Sequence, residues 1–255
     1  MKSVMDDPLL IFAFFFFTLS FSAQIGVFVL RRRRNLEEVA QEDFGVIVAA
    51  TLSLLGLIIG FSYSMAINRY DQRKNYEEAE ANAIGTEYVR ADLLPPADAA
   101  NVRALIRSYL DQRVLFYTTR DEKQLRQINV ATAQLQAELW SAAQIPATAH
   151  PNAVIAQAVS GMNDVLNSQG YTQAAWWNRI PIAAWIFMAL TAICCNLLTG
   201  YGARSAKAEV SLLLVLPLVV SIAFALIADI DSPRGGFIRV VPQNLQSLAQ
   251  SLRAQ

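Results

Sequence analysis

Four stretches of this chain are long, apolar and free of charged residues: Pro8 to Leu30, Phe44 to Ile67, Ile180 to Ala203 and Val210 to Ala228. They limit the possible fold more than any other feature. Crossing the hydrocarbon of a bilayer takes about 20 apolar residues in a helix, and a helix satisfies its own backbone polar groups while it does so. Composition agrees: 16% of residues are charged, where soluble domains carry about 25%. The expectation is an all-α, polytopic membrane protein with four transmembrane helices.

The spans pair as two hairpins. Spans one and two are joined by a turn carrying Arg31, Arg32, Arg33 and Arg34. That block reads as a stop-transfer signal, and the apolar run before it is longer than the roughly 7–15 residues of a signal-peptide core. Spans three and four are joined by a short turn carrying Arg204 and Lys207, so both turns face one side. Lys2, Arg69, Arg73, Lys74, Arg179, Arg234 and Arg239 lie on the other side, close to an even balance. The density of the Arg31–Arg34 block places the turns in the cytoplasm and the long intervening segment outside. Trp176, Trp177 and Trp185 open the third span and suit a membrane–water interface.

The long segment reads as helices. The first continues the second span to Pro95-Pro96, the second starts near Asp98, the third near Asp121, and the fourth runs from about Pro151 to Gly170. Leu125, Ile128, Thr132, Leu135 and Leu139 recur at helical spacing. The organisation expected is a first hairpin over 1–68, an extramembrane helical bundle over 69–175, a second hairpin over 176–229 and a C-terminal tail over 230–255.

Between Gly60 and Pro95 the chain passes from lipid-soluble to densely charged with no proline before the end. Arg69, Arg73, Glu77, Glu80 and Glu87 fall on one helix face. Such a row is either a solvated run of weak ion pairs or a subunit-contact or ion-lining face. Gly56, Gly60 and Ser64 form a small-residue stripe one end up, of the kind that lets membrane helices approach closely. Together they suit a ring of identical subunits. After the fourth span, Asp229 and Asp231 could take part in a hard-cation site, or pair with Arg234, Arg69 or Arg73.

Several function classes are disfavoured. Net charge is zero and the pI is about 6.6, so no nucleic-acid partner is expected. Cys194 and Cys195 are adjacent in an apolar run and read as packing residues. His150 is the single histidine, too little for a zinc site. No Gly-rich phosphate loop, GxSxG or HExxH occurs, so no enzyme is expected. Uncharged spans argue against a proton-coupled pump.

The segment N-R-Y-D-x-R-K with E-A-x-A-x-G-T-x-Y-x-R-x-x-L-L-P over Asn68 to Pro95, and the terminal D-I-D-S-P-R-G-G, resemble the bacterial bestrophin-like membrane proteins. The likeness runs from about Phe44 to Val240. It extends more weakly to the bestrophins themselves, which are pentameric anion channels with two hairpins flanking a helical middle region. Their second span carries an apolar constriction at i, i+4 and i+8, with a Gly-Phe followed eight residues later by Arg. Gly60-Phe61 and Arg69 match that spacing. Carried over, the constriction is Ser53, Leu57 and Phe61, with the departures that Ser53 is polar and Leu57 is not aromatic. Asp229 and Asp231 stand in a place similar to the bestrophin calcium clasp, which makes calcium the one cofactor the resemblance implies. Bestrophins keep the middle region in the cytoplasm, opposite to the charge balance. The resemblance implies a homo-oligomer, with a pentamer as the family's form. It would pass small ions along its second span, with Arg69 and Arg73 at a charged mouth. The alternative is a non-conducting binding, sensing or scaffold protein whose helical bundle recognises a partner.

Overall fold

Asp7 opens the first helix. Its carboxylate accepts from Leu9 N at 3.0 Å and Leu10 N at 3.3 Å, satisfying donors that have no partner inside the helix. This is a computed structural model describing residues 7–30, 38–202 and 210–254. Among the described residues every regular element is helical. Lys2, Arg31 to Arg34, Arg204 and Lys207 lie outside them. Four helices are long and apolar enough to cross a membrane. The chain divides into two compact units, residues 1–69 with 179–239 and residues 70–178 with 240–255, so that residues following Asp229 contribute to both.

The first unit holds α1 (Pro8–Ile25), the opening part of α2 (Glu38–Arg90), α6 (Ile182–Gly202) and α7 (Val210–Asp231). α1 packs on α6 and α7. Phe15 meets Phe224 edge-on at 4.7 Å, and Trp185 meets the same ring at 6.3 Å. Trp185 is therefore buried within the first unit. α1 and its π-helical extension (Gly26–Leu30) cross α6 where both lack a β-carbon. A methyl at Gly26 would collide with the Leu197 carbonyl, and one at Gly200 with the Ala23 carbonyl. Close approach of this kind is how helices associate where hydrophobicity offers no preference. Ser22 Oγ donates to the Ile193 carbonyl at 2.9 Å, and Cys195 Sγ to the Thr51 carbonyl at 3.3 Å.

The second unit holds the rest of α2 with α3 (Pro96–Thr118), α4 (Glu122–Ala149), α5 (Ala153–Trp177) and α8 (Gln243–Arg253). α3 starts at Pro96 rather than at Asp98, because a proline needs no N–H partner at the first helical position. Asp98 then sits in the first turn, where its charge suits the helix dipole. Asp121 caps α4 through Lys123 N at 2.8 Å. α5 is capped by Asn152, which accepts from Val154 N and Ile155 N, both at 2.9 Å. It runs past Gly170 to Trp177; among the described residues no glycine takes the positive φ that ends a helix. Trp176 is buried against Phe116 at 4.9 Å and Tyr117 at 5.3 Å; Trp177 beside it is exposed. Ile84, Val102, Ile106, Leu139, Met162 and Leu245 meet in one core.

Gly200→Ala is expected to destabilise the protein by about 1–3 kcal/mol, because the added methyl meets main chain that cannot yield. Gly170→Ala, whose methyl meets open space, is expected to be neutral or to stabilise by up to about 1 kcal/mol. Thermal unfolding of the detergent-solubilised protein separates the two.

Candidate functional site

α2 carries 53 residues without a break, and its two stretches use their faces differently. In the apolar stretch only a narrow seam is buried within the chain, at Leu55, Ser62 and Ala66. Of its most apolar window 6% is buried, against 44% for α1 and 44% for α7. Ser53, Gly56, Leu57, Gly60, Phe61 and Ser64 all lie on the open side. Leu57 is 54% exposed and Phe61 65%. A β-carbon added at Gly56 or Gly60 meets nothing within 4 Å, so at these positions the small-residue stripe packs on none of the described residues. The close helix crossing falls instead at Gly26 and Gly200.

Beyond Tyr70 the row of charges turns inward. Arg73, Glu77, Glu80 and Glu87 are buried, which overturns the picture of a solvated row. Arg73 donates from Nε to the Ala175 carbonyl at 3.3 Å and from Nη2 to the Asn178 carbonyl at 3.4 Å. It thereby covers the C-terminal end of α5, where orphan carbonyls and the dipole favour a cation. Glu77 does the converse for α8. Its Oε1 accepts from Leu245 N at 2.9 Å and its Oε2 from Asn244 Nδ2 at 2.7 Å. The residue preceding α8 is Pro242, which has no side-chain cap to offer. The carboxylate of α2 therefore does that work.

Glu80 is fully buried and receives four donors. Arg113 Nε reaches Oε1, while Arg113 Nη2, Tyr117 Oη and Thr172 Oγ1 reach Oε2, the last three at 3.4, 3.3 and 3.0 Å. Burial alone would lower the Arg113 pKa, but the Glu80 carboxylate outweighs it and the net shift is upward. For Tyr117 burial and the Glu80 charge both push the phenol up, which keeps it a donor. The Arg113 guanidinium also lies 4.4 Å above the Phe116 ring.

Arg69 and the two aspartates belong to the first unit. Asp231 is buried, with Arg69 Nη1 at 3.6 Å, Arg179 Nε at 3.4 Å and Ile180 N at 3.1 Å. Asp229 turns to the following loop and accepts from Phe237 N at 2.6 Å and Ile238 N at 3.0 Å. Gly236 leaves room for that carboxylate. The two acids thus face separate donors. Among the described residues no three His, Cys, Asp or Glu side chains gather as a metal site.

Arg113 was missed in the sequence, although a signal existed. It falls on the stripe formed by Val102, Ile106, Tyr109, Leu110 and Phe116, and a cation on an apolar face calls for a buried anion. Thr172 and Asn244 left no such trace.

Arg113→Leu is expected to cost about 3–5 kcal/mol, because Glu80 is left as an uncompensated buried charge. Adding Glu80→Leu should recover most of that loss. Chemical denaturation of the single and double variants in detergent gives the comparison.

A model of the bestrophin-like domain matches residues 14–245. The structure is similar to that of a bacterial bestrophin homolog from Klebsiella pneumoniae, at 12% identity and a TM-score of 0.65, over 95% of this chain and 97% of that one. A single-substitution variant of that homolog matches at 11% identity and 0.65, over 95% and 98%. At such identity the likeness is one of fold. Among curated proteins none matches the chain.

Proposed function

The chain belongs to the bestrophin-like family, and from that premise we propose that it is a homo-oligomeric membrane channel whose ion pathway is lined by α2. The observation that carries this reading is the open apolar face of α2, with Ser53, Leu57 and Phe61 one turn apart along it and Gly56, Gly60 and Ser64 beside them. A face so exposed within one chain is covered in the membrane either by lipid or by further copies, and small residues favour copies because they allow backbones to approach. A pentamer is the form the bestrophin likeness implies. Ser53, Leu57 and Phe61 then form successive rings, the last two being the apolar constriction. An anion preference rests on the likeness and on Arg69 and Arg179, two guanidiniums on the single carboxylate of Asp231. Surplus positive charge at a mouth selects for anions. Arg73, Glu77 and Glu80 take no part in that mouth, being engaged inside the second unit.

Purified protein in planar bilayers, with chloride gradients and calcium varied from chelated to saturating, is expected to conduct anions. Phe61→Ala should raise the current by widening the constriction. Absence of current for any common ion, together with a monomer by mass analysis, would overturn the proposal and leave the scaffold reading.

For the orientation we propose, from the Arg31–Arg34 block, a cytoplasmic turn in the inner membrane and a periplasmic second unit. A cysteine introduced at the exposed Gln127 is then labelled by an impermeant maleimide in spheroplasts. Labelling only after lysis would instead give the cytoplasmic arrangement of the bestrophins.

A further inference from the structure

Glu87 lies on the same face of α2 as Glu77 and Glu80, yet it is treated differently. It is 0% exposed, and neither of its carboxyl oxygens has a hydrogen-bond partner. Opposite it α5 carries Gly161. A β-carbon there would sit on Glu87 Oε2 and 2.9 Å from Arg90 Cδ. The glycine is therefore the space into which one carboxyl and one guanidinium both fit. Arg90, one turn further along α2, has its Nη1 3.8 Å from Asp164 Oδ2 on α5. That aspartate side chain is 63% exposed.

A carboxylate with no donors is costly to bury, so the group keeps its proton at neutral pH. Burial is the main cause, opposed by Arg90 and reinforced by Asp164, and the pKa is pushed up to about 8. The other charged groups near this stretch are taken. On α3, Arg103 pairs with Asp92 and Arg107 donates to Tyr88 Oη; on α8, Arg253 pairs with Asp111 at 2.7 Å. One guanidinium thus stands between two carboxyls, one buried and one in water.

We propose that Glu87, Arg90 and Asp164 form a proton-operated latch between α2 and α5, in which loss of the Glu87 proton draws Arg90 from Asp164 to Glu87. With the proton present, Arg90 holds α5 through Asp164 and the neutral carboxyl packs on Gly161. With the proton gone, the buried carboxylate competes better for the guanidinium, because an exposed ion pair is weakened by solvent. Asp164 is then released. The folded-state pKa lies above the ordinary glutamate value of 4.5. The stabilisation from the neutral form is therefore complete below that value and is lost as pH rises to about 8. The latch regulates α2 whether or not the protein conducts, so its test reads the proton and the helix pair rather than a current.

The experiment uses the full chain in nanodiscs, titrated from about pH 6 to about pH 9.5, a range above the ordinary carboxyl pKa. Infrared difference spectra are expected to show a protonated-carboxyl stretch disappearing with a midpoint near 8, absent in Glu87→Gln. Hydrogen exchange of residues 153–165, taken as the ratio of native to Glu87→Gln at each pH, should rise at least about threefold across the same transition. Asp164→Asn, a change at an exposed side chain, keeps the test open if Glu87→Gln folds poorly. It removes the charge that opposes ionisation and should move the infrared midpoint to lower pH. The proposal is overturned if no carboxyl band titrates, if the band persists in Glu87→Gln, if the exchange ratio stays flat, or if Asp164→Asn leaves the midpoint in place.

Discussion

A carboxylate with no access to water must be answered by donors, and in the second unit that requirement falls on Glu80. Its two oxygens collect Arg113 and Tyr117 from α3 and Thr172 from α5. Three helices are thereby held in one register. A hydrophobic core tolerates sliding of one helix against another more readily than a buried charge tolerates loss of its partners. Tyr109 and Tyr117, four residues either side of Arg113, close the same pocket, and burial with the Glu80 charge raises both phenols. The net stability of such a pair is modest, but its removal on one side only is severe. This is how a polar centre specifies an arrangement without adding much to its depth.

The rest of the charged row follows from the ends of the helices it meets. A C-terminus presents carbonyls and a negative dipole end; an N-terminus presents N–H groups and a positive one. Along α2 the order is Arg73, then Glu77, and they meet the end of α5 and the start of α8 respectively. The sign of each side chain matches the helix end beside it. What looked in sequence like i, i+4 pairing along one helix is therefore pairing between helices. The spacing is the same because both arrangements need a single face.

The fold class was legible because lipid demands long uncharged runs, and no other structure produces them so plainly. Asp121 announced its helix, since a capping side chain acts on its immediate neighbours. An aromatic near a span end suits both the interface and a core, and the contacts of Trp176 with Phe116 and of Trp185 with Phe224 show both side chains buried. The buried row was visible as a face but not as an interior face. Burial depends on α3, α5 and α8 arriving opposite it, from positions 33, 92 and 168 residues away for Arg113, Thr172 and Leu245. Gly26 and Gly200 were overlooked for the same reason: a glycine shows its use only when the neighbouring backbone is in place.

α2 thus resolves two opposite problems on one helix. Its apolar stretch leaves most of its surface to other molecules, while its charged stretch buries the face that carries Arg73, Glu77, Glu80 and Glu87. α1 already packs closely on α6 through Gly26 and Gly200, and also on α7, so the open face of α2 is not consumed by the core of the first unit. The charged stretch cannot be free in the same sense, since each of Arg73, Glu77 and Glu80 holds another helix. Glu87 is the exception in that row. Its carboxyl fills the space left by the missing side chain of Gly161 and meets no donor there, and a guanidinium within reach is already committed elsewhere. Among otherwise satisfied neighbours, a single unsatisfied acid is the position at which a proton can alter the packing of the second unit without dismantling it.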